Sequence, residues 1–574
     1  MSSFWSEWWA GSLGLAAAVF GLLASCSRLS PGSLPLSPLL FIPAILLSLL
    51  LLQFALGRLV FPQLGLLYAD YLLWAGLLLM LGRNLAGTIG LARLADVLAV
   101  AIALGALIGA AVALVQWMGI ADYVPWIFPR MGGAVYGNLA QSNHHAHFSW
   151  LGIASAFYLR GREQLSRGLL WLLVLSIGFG SVLSGSRSVF LYMLVILAAL
   201  AWQRRQDPHG PVAKLVTDVA LLLPVLIALN FIGAWASPRV PEFWVWLGNL
   251  LPSLDLGGNT IKGGYYSMPG VKLYESVSGP SERLAILRTA WSAIAEHPWL
   301  GNGAGNFRWA SFVASANRTD DDYFFVAEHA HNFVFQLLTE FGALAVVAMI
   351  LLLVFWAKQF LRQSWRLEHF WCASILGIGA VHSLLEYPLW YSYFLGPTAL
   401  LLGATESGRT IALTGRRVAI YLVLAALAGA LILGNLRSDY SKIEAAIYHP
   451  LAAHPDRERA WRITMDRLLK LYDESLFSPW VLRVFTVLAE PSRQLAEDRA
   501  DLCVRSIRFD PARSSMTRCA MHLAIAGRDS DARRLVLEVL RAFPGQRMAT
   551  VEELAKWAQT FPEIEPLRML SQSP

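Results

Sequence analysis

Charge is scarce in this 574-residue sequence: Asp, Glu, Lys and Arg together make up 15% of it, against about a quarter in a soluble chain. That shortage, with 56% hydrophobic residues and a mean hydropathy of +0.50, excludes an ordinary water-soluble enzyme. Cysteine is scarce too, and none of the four cysteines has metal-ligand spacing. No Walker A loop, no glycine-rich dinucleotide fingerprint and no serine nucleophile elbow is present. The run Gly301-Asn302-Gly303-Ala304-Gly305 lacks the lysine and the strand–helix setting of a phosphate loop, and reads as a turn. The first apolar stretch, Gly11 to Ser25, is preceded by Glu7 and by no Lys or Arg, so a removable signal peptide is not expected.

What the sequence has in abundance is long apolar runs, each near the ~20 residues a helix needs to cross a bilayer. Twelve are expected, near 11–25, 38–57, 64–82, 94–118, 146–160, 168–185, 188–203, 214–236, 332–357, 369–386, 389–405 and 417–435. The fold class is therefore all-α, a polytopic membrane helix bundle. Basic residues collect in its short loops: Arg160, Arg162 and Arg167; Arg204, Arg205 and Lys214; Lys358, Arg362 and Arg366; Arg409, Arg416 and Arg417. With twelve spans all four loops fall on one side, the cytoplasm by the positive-inside rule; Arg83 and Arg93 agree and Arg58 dissents. The net charge of +7 thus reads as membrane topology and not as a nucleic-acid footprint. Both termini, the stretch 119–145 and the loop 237–331 then face outward.

Four regions result: an N-terminal transmembrane bundle over 1–236, a large outer loop over 237–331, a second bundle over 332–436 and an outer α-helical domain over 437–574. The outer loop is too long for a plain connector. Within it, 282–296 has the period of an amphipathic helix with Leu284, Leu287, Ala290, Trp291 and Ile294 on one face, ended by Pro298 and the glycines after it. Past Leu436 the composition turns charged and helix-forming. The segments Asp498–Phe509, Arg513–Ala526 and Asp529–Phe543, then a proline, are paired helices of tetratricopeptide-like kind. Cys503 and Cys519 lie there, either joined in a disulfide that an oxidising compartment permits or simply buried.

Four polar clusters can carry chemistry. Glu328-His329-Ala330-His331-Asn332 sits at the mouth of an apolar span. Asn332 there is an N-cap candidate, while a histidine at that place suits a general base; histidines two apart face different ways and make a poor zinc site. Ser184-Gly185-Ser186-Arg187-Ser188 is either a tight hairpin with a snorkelling arginine or an anion clamp for a lipid-linked phosphate. Gly137-Asn138-Leu139-Ala140-Gln141-Ser142-Asn143-His144-His145 is either a solvated loop or a set of hydrogen-bonding groups for a sugar or pyrophosphate. His382 and Glu386 share one helix face at i, i+4, either to satisfy each other or to serve a site.

Taken together these residues resemble a known family. Arg283-Leu-Ala-Ile-Leu-Arg288-Thr-Ala-Trp291, then Glu296-His297-Pro298-Trp299-Leu300-Gly301-Asn302-Gly303, resembles the large periplasmic loop of the O-antigen ligase and polymerase superfamily. His331-Asn332 with Glu340-Phe341-Gly342 is similar to its "His-Asn … Glu-x-Gly" element. Gly137-Asn138-x-x-Gln141-x-Asn143-His144 and His382-Ser-Leu-Leu-Glu386-Tyr387-Pro388-Leu389 resemble segments of the bacterial protein O-oligosaccharyltransferases of PglL type.

The resemblance implies glycosyl transfer on the periplasmic face of the inner membrane, from undecaprenyl-pyrophosphate-linked oligosaccharide to Ser or Thr of a secreted protein or pilin. It implies catalytic roles for His331, Arg187 and Arg283, with Arg288 the alternative to Arg283 because the spacing to Trp291 is not rigid. Asn138, Gln141, Asn143, His144, Asn332, His382 and Glu386 would bind substrate. No metal or other cofactor is expected, since Asp320, Asp321 and Asp322 read as a solvated turn, and transfer without a covalent intermediate should invert the anomeric centre. An O-antigen ligase acting on lipid A core and a Wzy-type polymerase are the alternatives within the superfamily. A lipid-linked sugar transporter or a non-catalytic scaffold are those outside it.

Overall fold

A segment that crosses hydrocarbon must satisfy its own backbone, so apolar runs of this length fold as helices, and the computed structural model is helical almost throughout. It describes residues 2–28, 33–129, 135–139, 141–250, 282–317, 326–407, 411–453, 456–488 and 490–572. The exception is a short antiparallel ribbon, Ser33–Leu36 against Ile411–Thr414, which the all-α expectation did not include. Among the described residues seven helices are long and apolar enough to cross a membrane: Phe4–Ala24, Pro38–Ala55, Pro62–Ile89, Leu91–Met118, Pro211–Leu247, Phe333–Arg362 and Ile420–Ile447. Arg167–Leu183 and Ser392–Ala404 are apolar but shorter. The helices Ser142–Gly161, Val189–Gln206 and Leu367–Ser383 coincide with the other apolar stretches and carry more polar side chains.

The described chain divides into two units, each gathered from three separate stretches. The first comprises Met1–Leu40, Ala75–Gly279 and Leu353–Val423. Its core forms where Leu91–Met118 presents Ala95, Ala99, Ala103, Ala106, Ala110 and Ala113, all buried, at helical spacing. Small residues let helix backbones approach closely where lipid supplies no hydrophobic drive. A Cβ on Gly152 would stand 2.2 Å from the Ala106 Cβ, and one on Gly180 would stand 2.8 Å from Ala110. Ser142–Gly161 is thereby buried on nearly every face, among Leu170, Val174, Tyr192, Ile196 and Trp371. On the opposite face of Leu91–Met118, Val97, Leu104 and Ile108 are exposed, as lipid-facing residues are. One set of ion pairs, Arg162 with Asp96, Arg167 with Asp218 and Lys214 with Glu163, ties the loop between Gly161 and Arg167 to its neighbours.

The second unit comprises Phe41–Trp74, Pro280–Leu352 and Leu424–Pro574. The helix Gly415–Ala453 is 39 residues long, which at 1.5 Å per residue exceeds a ~30 Å hydrocarbon core. Its last turns pack Ile443 and Ala446 against Leu468, Leu471 and Val481. The helices Ala496–Phe509, Arg513–Ile525 and Asp529–Ala542 match the segmentation read from the sequence. A disulfide joins Cys503 to Cys519, with Cα atoms 5.3 Å apart, and both cysteines are buried. In the first unit, Cys372 is a buried free thiol.

Candidate active site

In the second unit the segment after Glu296 folds back on the helix that starts at Phe333. Gly342 has φ 78 and ψ −179 inside Phe333–Arg362, a conformation reserved for glycine, and the helix breaks there. The break exposes backbone groups that the preceding turn takes up. Asn302 N–H donates to Thr339 O at 2.7 Å, Gly303 N–H to Glu340 O at 3.2 Å and Ala343 N–H to Pro298 O at 2.8 Å. Gln53 seals the junction from the Phe41–Ala55 helix, donating to Leu300 O and Glu340 O and accepting from Ala304 N–H. Arg58, the one dissenter among the loop cations, donates to Gly301 O at 2.7 Å. The buried Glu340 carboxylate accepts from the Tyr68 hydroxyl and from Gln336 Nε2. The glycine run is thus the turn the sequence indicated, locked between two helices.

His331 stands just upstream of this junction. Its φ is 49, a left-handed backbone uncommon for a non-glycine residue. The conformation is held on both sides. Ala330 N–H donates to Gln336 Oε1 at 2.7 Å, and Asn332 Oδ1 accepts from the N–H groups of Val334 and Phe335, so Asn332 is an N-cap. Ala327 and Ala330 pack with Phe307 and with Ile286 and Ala290 of Glu282–Glu296, the helix of Arg283 and Arg288. That helix corrects one expectation: its buried face is Ala285, Ile286, Thr289, Ala290, Ala293 and Ile294, while Leu284 and Trp291 are exposed. Arg283 is half-buried and Arg288 exposed. The acidic run 320–322 lies outside the described residues.

In the first unit, Gly185 turns with φ 66, Ser184 Oγ donates to Ser181 O and Ser186 N–H donates to Ser184 Oγ. Ser184, Ser186 and Ser188 are buried and Arg187 half-buried, at the head of Val189–Gln206. The 137–144 segment separates into two roles. Asn138 pins its own loop, accepting from Phe128 N–H and donating to Trp126 O, while Gln116 accepts from the N–H groups of Tyr136 and Gly137. Asn143 Nδ2 instead donates to Glu386 Oε1 at 2.7 Å, and Gln141 Nε2 reaches Glu386 Oε2 at 3.5 Å. His382 Nδ1 shares a 2.6 Å hydrogen bond with the Tyr192 hydroxyl. The helix Leu367–Ser383 ends before Glu386, so His382 and Glu386 do not share a helix face as the spacing suggested, and each bonds to a different element.

His144 lies edge-on to Tyr391, Phe394 and His382. His147, not among the residues expected from the sequence, stacks on Phe394 at 4.3 Å and lies 4.6 Å from the His382 ring. The signal for it was present: it is three residues after His144, on the same helix face. Tyr192, likewise unexpected, is one turn beyond Ser188 in the helix that Arg187 precedes. Among the described residues no three His, Cys, Asp or Glu side chains are grouped to hold a metal ion.

These features define a class: a multi-pass membrane protein with a polar, histidine-bearing helix mouth and an arginine-bearing loop helix. Comparison with known proteins makes the class specific. The O-antigen ligase family matches residues 169–350, and the C-terminal region of the virulence factor membrane-bound polymerases matches residues 370–557. Over these residues the chain is similar to glycan ligases and polymerases of the O-antigen ligase kind, and it is a glycosyltransferase. It is 25% identical over 471 residues, covering 81% of this chain and 77% of the relative, to a general O-oligosaccharyltransferase of Acinetobacter baylyi. A ComP-specific O-oligosaccharyltransferase of the same organism is 23% identical over 277 residues, 47% of this chain and 44% of its own.

Proposed function

We propose that this enzyme moves an oligosaccharide from undecaprenyl pyrophosphate to Ser or Thr hydroxyls of secreted proteins or pilins, at the periplasmic face of the inner membrane. The observation that carries the reading is the similarity over 81% of the chain to a general O-oligosaccharyltransferase. Two further features support the sidedness: basic residues concentrate in one set of loops, and the Cys503–Cys519 disulfide belongs to an oxidising compartment. The regions proposed are a bundle over 1–236, the catalytic loop over 237–331, a second bundle over 332–436 and a tetratricopeptide-like domain over 437–574, with twelve spans in all.

In the proposed reaction the acceptor hydroxyl oxygen attacks the anomeric carbon, and the bond from that carbon to the pyrophosphate oxygen breaks. His331 takes the hydroxyl proton. Arg187 and Arg283, or Arg288 in place of Arg283, stabilise charge growing on the leaving pyrophosphate, work that needs no metal in this reading. Asn332, Gln141, Asn143, His144, His382 and Glu386 hold donor and acceptor, and Asn138 shapes the loop that leads into three of them. A single displacement inverts the anomeric centre.

The test is His331→Ala and Arg187→Ala in cells carrying a lipid-linked glycan and a tagged acceptor protein, with membrane levels measured by immunoblot. Loss of acceptor glycosylation at normal enzyme level is expected; full glycosylation by both variants refutes the assignment. The family match to O-antigen ligases favours one second reading, transfer to lipid A core. A deletion strain with normal glycoprotein and truncated lipopolysaccharide would establish it instead.

A further inference from the structure

We propose that the C-terminal helical domain is a positioning element for the segment that carries His331, and that Asp510 is its key residue. The inference rests on the catalytic reading of His331; the contacts themselves do not. They begin with a helix of the outer loop, Phe307–Ala316, whose Phe312 and Ala316 are buried in the same core as Ala500, Met516, Val536 and Val539 of the C-terminal domain. The domain and the loop helix thus share one hydrophobic interior, with Phe312 stacked on Phe543 at 6.3 Å.

At the edge of that interior lies Asp510, 1% exposed. It pairs with Arg308 of the loop helix at 2.6 Å and with Arg483 of the C-terminal domain at 2.7 Å. Beside it, the Arg508 guanidinium lies 4.3 Å over the Trp309 ring. Apolar contact alone lets a helix slide or roll. A buried carboxylate held between two guanidiniums opposes such movement, because a shift of either partner leaves a buried charge poorly paired. The triad therefore fixes the rotation of Phe307–Ala316 about its axis.

That rotation governs the placement of the next segment, 326–331. The buried Ser311 Oγ, one turn after Arg308, accepts from Ala327 N–H at 3.1 Å, and Phe307 packs on Ala327 and Ala330. His331 comes next, in its left-handed conformation. A continuous line of contacts runs from Asp510 through Arg308 and Ser311 to the backbone that aims the imidazole. Misplacement of a reacting group by about 1 Å can cost two orders of magnitude in rate, so the domain acts on kcat and not on acceptor affinity.

The experiment uses the full-length enzyme in lipid nanodiscs with a lipid-linked glycan donor and a purified acceptor protein. Asp510→Asn and Ser311→Ala are compared with wild type for kcat, acceptor KM and amide hydrogen exchange over 307–316 and 326–331. Expected are a kcat fall of about tenfold or more, an unchanged acceptor KM and faster exchange at 326–331 in both variants. Ser311→Ala leaves the C-terminal domain intact, so it keeps the test decisive if Asp510→Asn fails to fold. A raised acceptor KM with unchanged kcat would overturn the proposal and make the domain an acceptor-docking module. Unchanged exchange at 326–331 in Ser311→Ala would overturn it equally. Exchange reports on the coupling whether or not His331 is the base, so full activity of His331→Ala would sink the catalytic reading alone.

Discussion

Gly342→Ala is the substitution that bears hardest on the break in the Phe333–Arg362 helix. An alanine at φ 78 and ψ −179 costs about 1–3 kcal/mol, because that backbone region is essentially restricted to glycine. Its Cβ would stand 2.3 Å from the carbonyl carbon and oxygen of Trp299 and 2.6 Å from Leu300 N. Those are backbone atoms, which cannot rotate aside, so the turn must withdraw by about 1 Å to reach ordinary van der Waals contact near 3.4 Å. Withdrawal strains the three backbone bonds from Asn302, Gly303 and Ala343, each contributing about 1 kcal/mol. The sum, about 4–6 kcal/mol, is a large share of the ~5–15 kcal/mol by which domains are stable. Purified protein in detergent should show a Tm lowered by several degrees or a separate early transition, and cells should lose acceptor glycosylation. Gly434→Ala is the control, because a Cβ there meets nothing within 4 Å; it should be neutral or, by helix propensity, stabilising by up to about 1 kcal/mol. A Gly342→Ala enzyme with wild-type Tm and glycosylation would refute the account of the break.

Three further outcomes are expected. Tyr192→Phe removes the 2.6 Å bond to His382, costing about 1–3 kcal/mol in a buried site; in vitro transfer should fall while Tyr158→Phe, on another part of the bundle, leaves it unchanged. Gln53→Leu strips three hydrogen bonds from the turn and should open 298–305 to limited proteolysis, with membrane insertion unaltered by immunoblot. Cys503→Ser with Cys519→Ser opens a loop of sequence separation 16, a loss of about 3 kcal/mol by the chain-entropy account, to be measured as lower thermal stability. Denatured, unreduced wild type should label with a thiol reagent only at Cys26 and Cys372; labelling of Cys503 and Cys519 as well would refute the disulfide.

The sequence by itself determined that the chain is helical with long apolar stretches, and it marked the helical segments after residue 496, because these depend on local composition and period alone. It also located the turn at Pro298–Gly305, where glycine spacing announces a backbone that only glycine adopts. Partnership was different. The bonds joining Gln53 to Glu340 O and Asn143 to Glu386 connect residues 287 and 243 positions apart, and no periodicity encodes such pairs. The face of Glu282–Glu296 was read only in part: Ala290 and Ile294 are buried, but so are the small Ala285, Thr289 and Ala293, while Leu284 and Trp291 are exposed, because a period does not say which side a neighbouring segment takes. Tyr192 looks like an ordinary residue until helix packing sets it beside His382, and His147, on the face of His144, acquires that neighbour only in the same way. Asp510 gave no sign at all, since one aspartate in a charged domain becomes special only when folding buries it between Arg308 and Arg483. Local physics writes helices and turns into the chain; which polar groups must share a buried space is decided only when distant segments close around them.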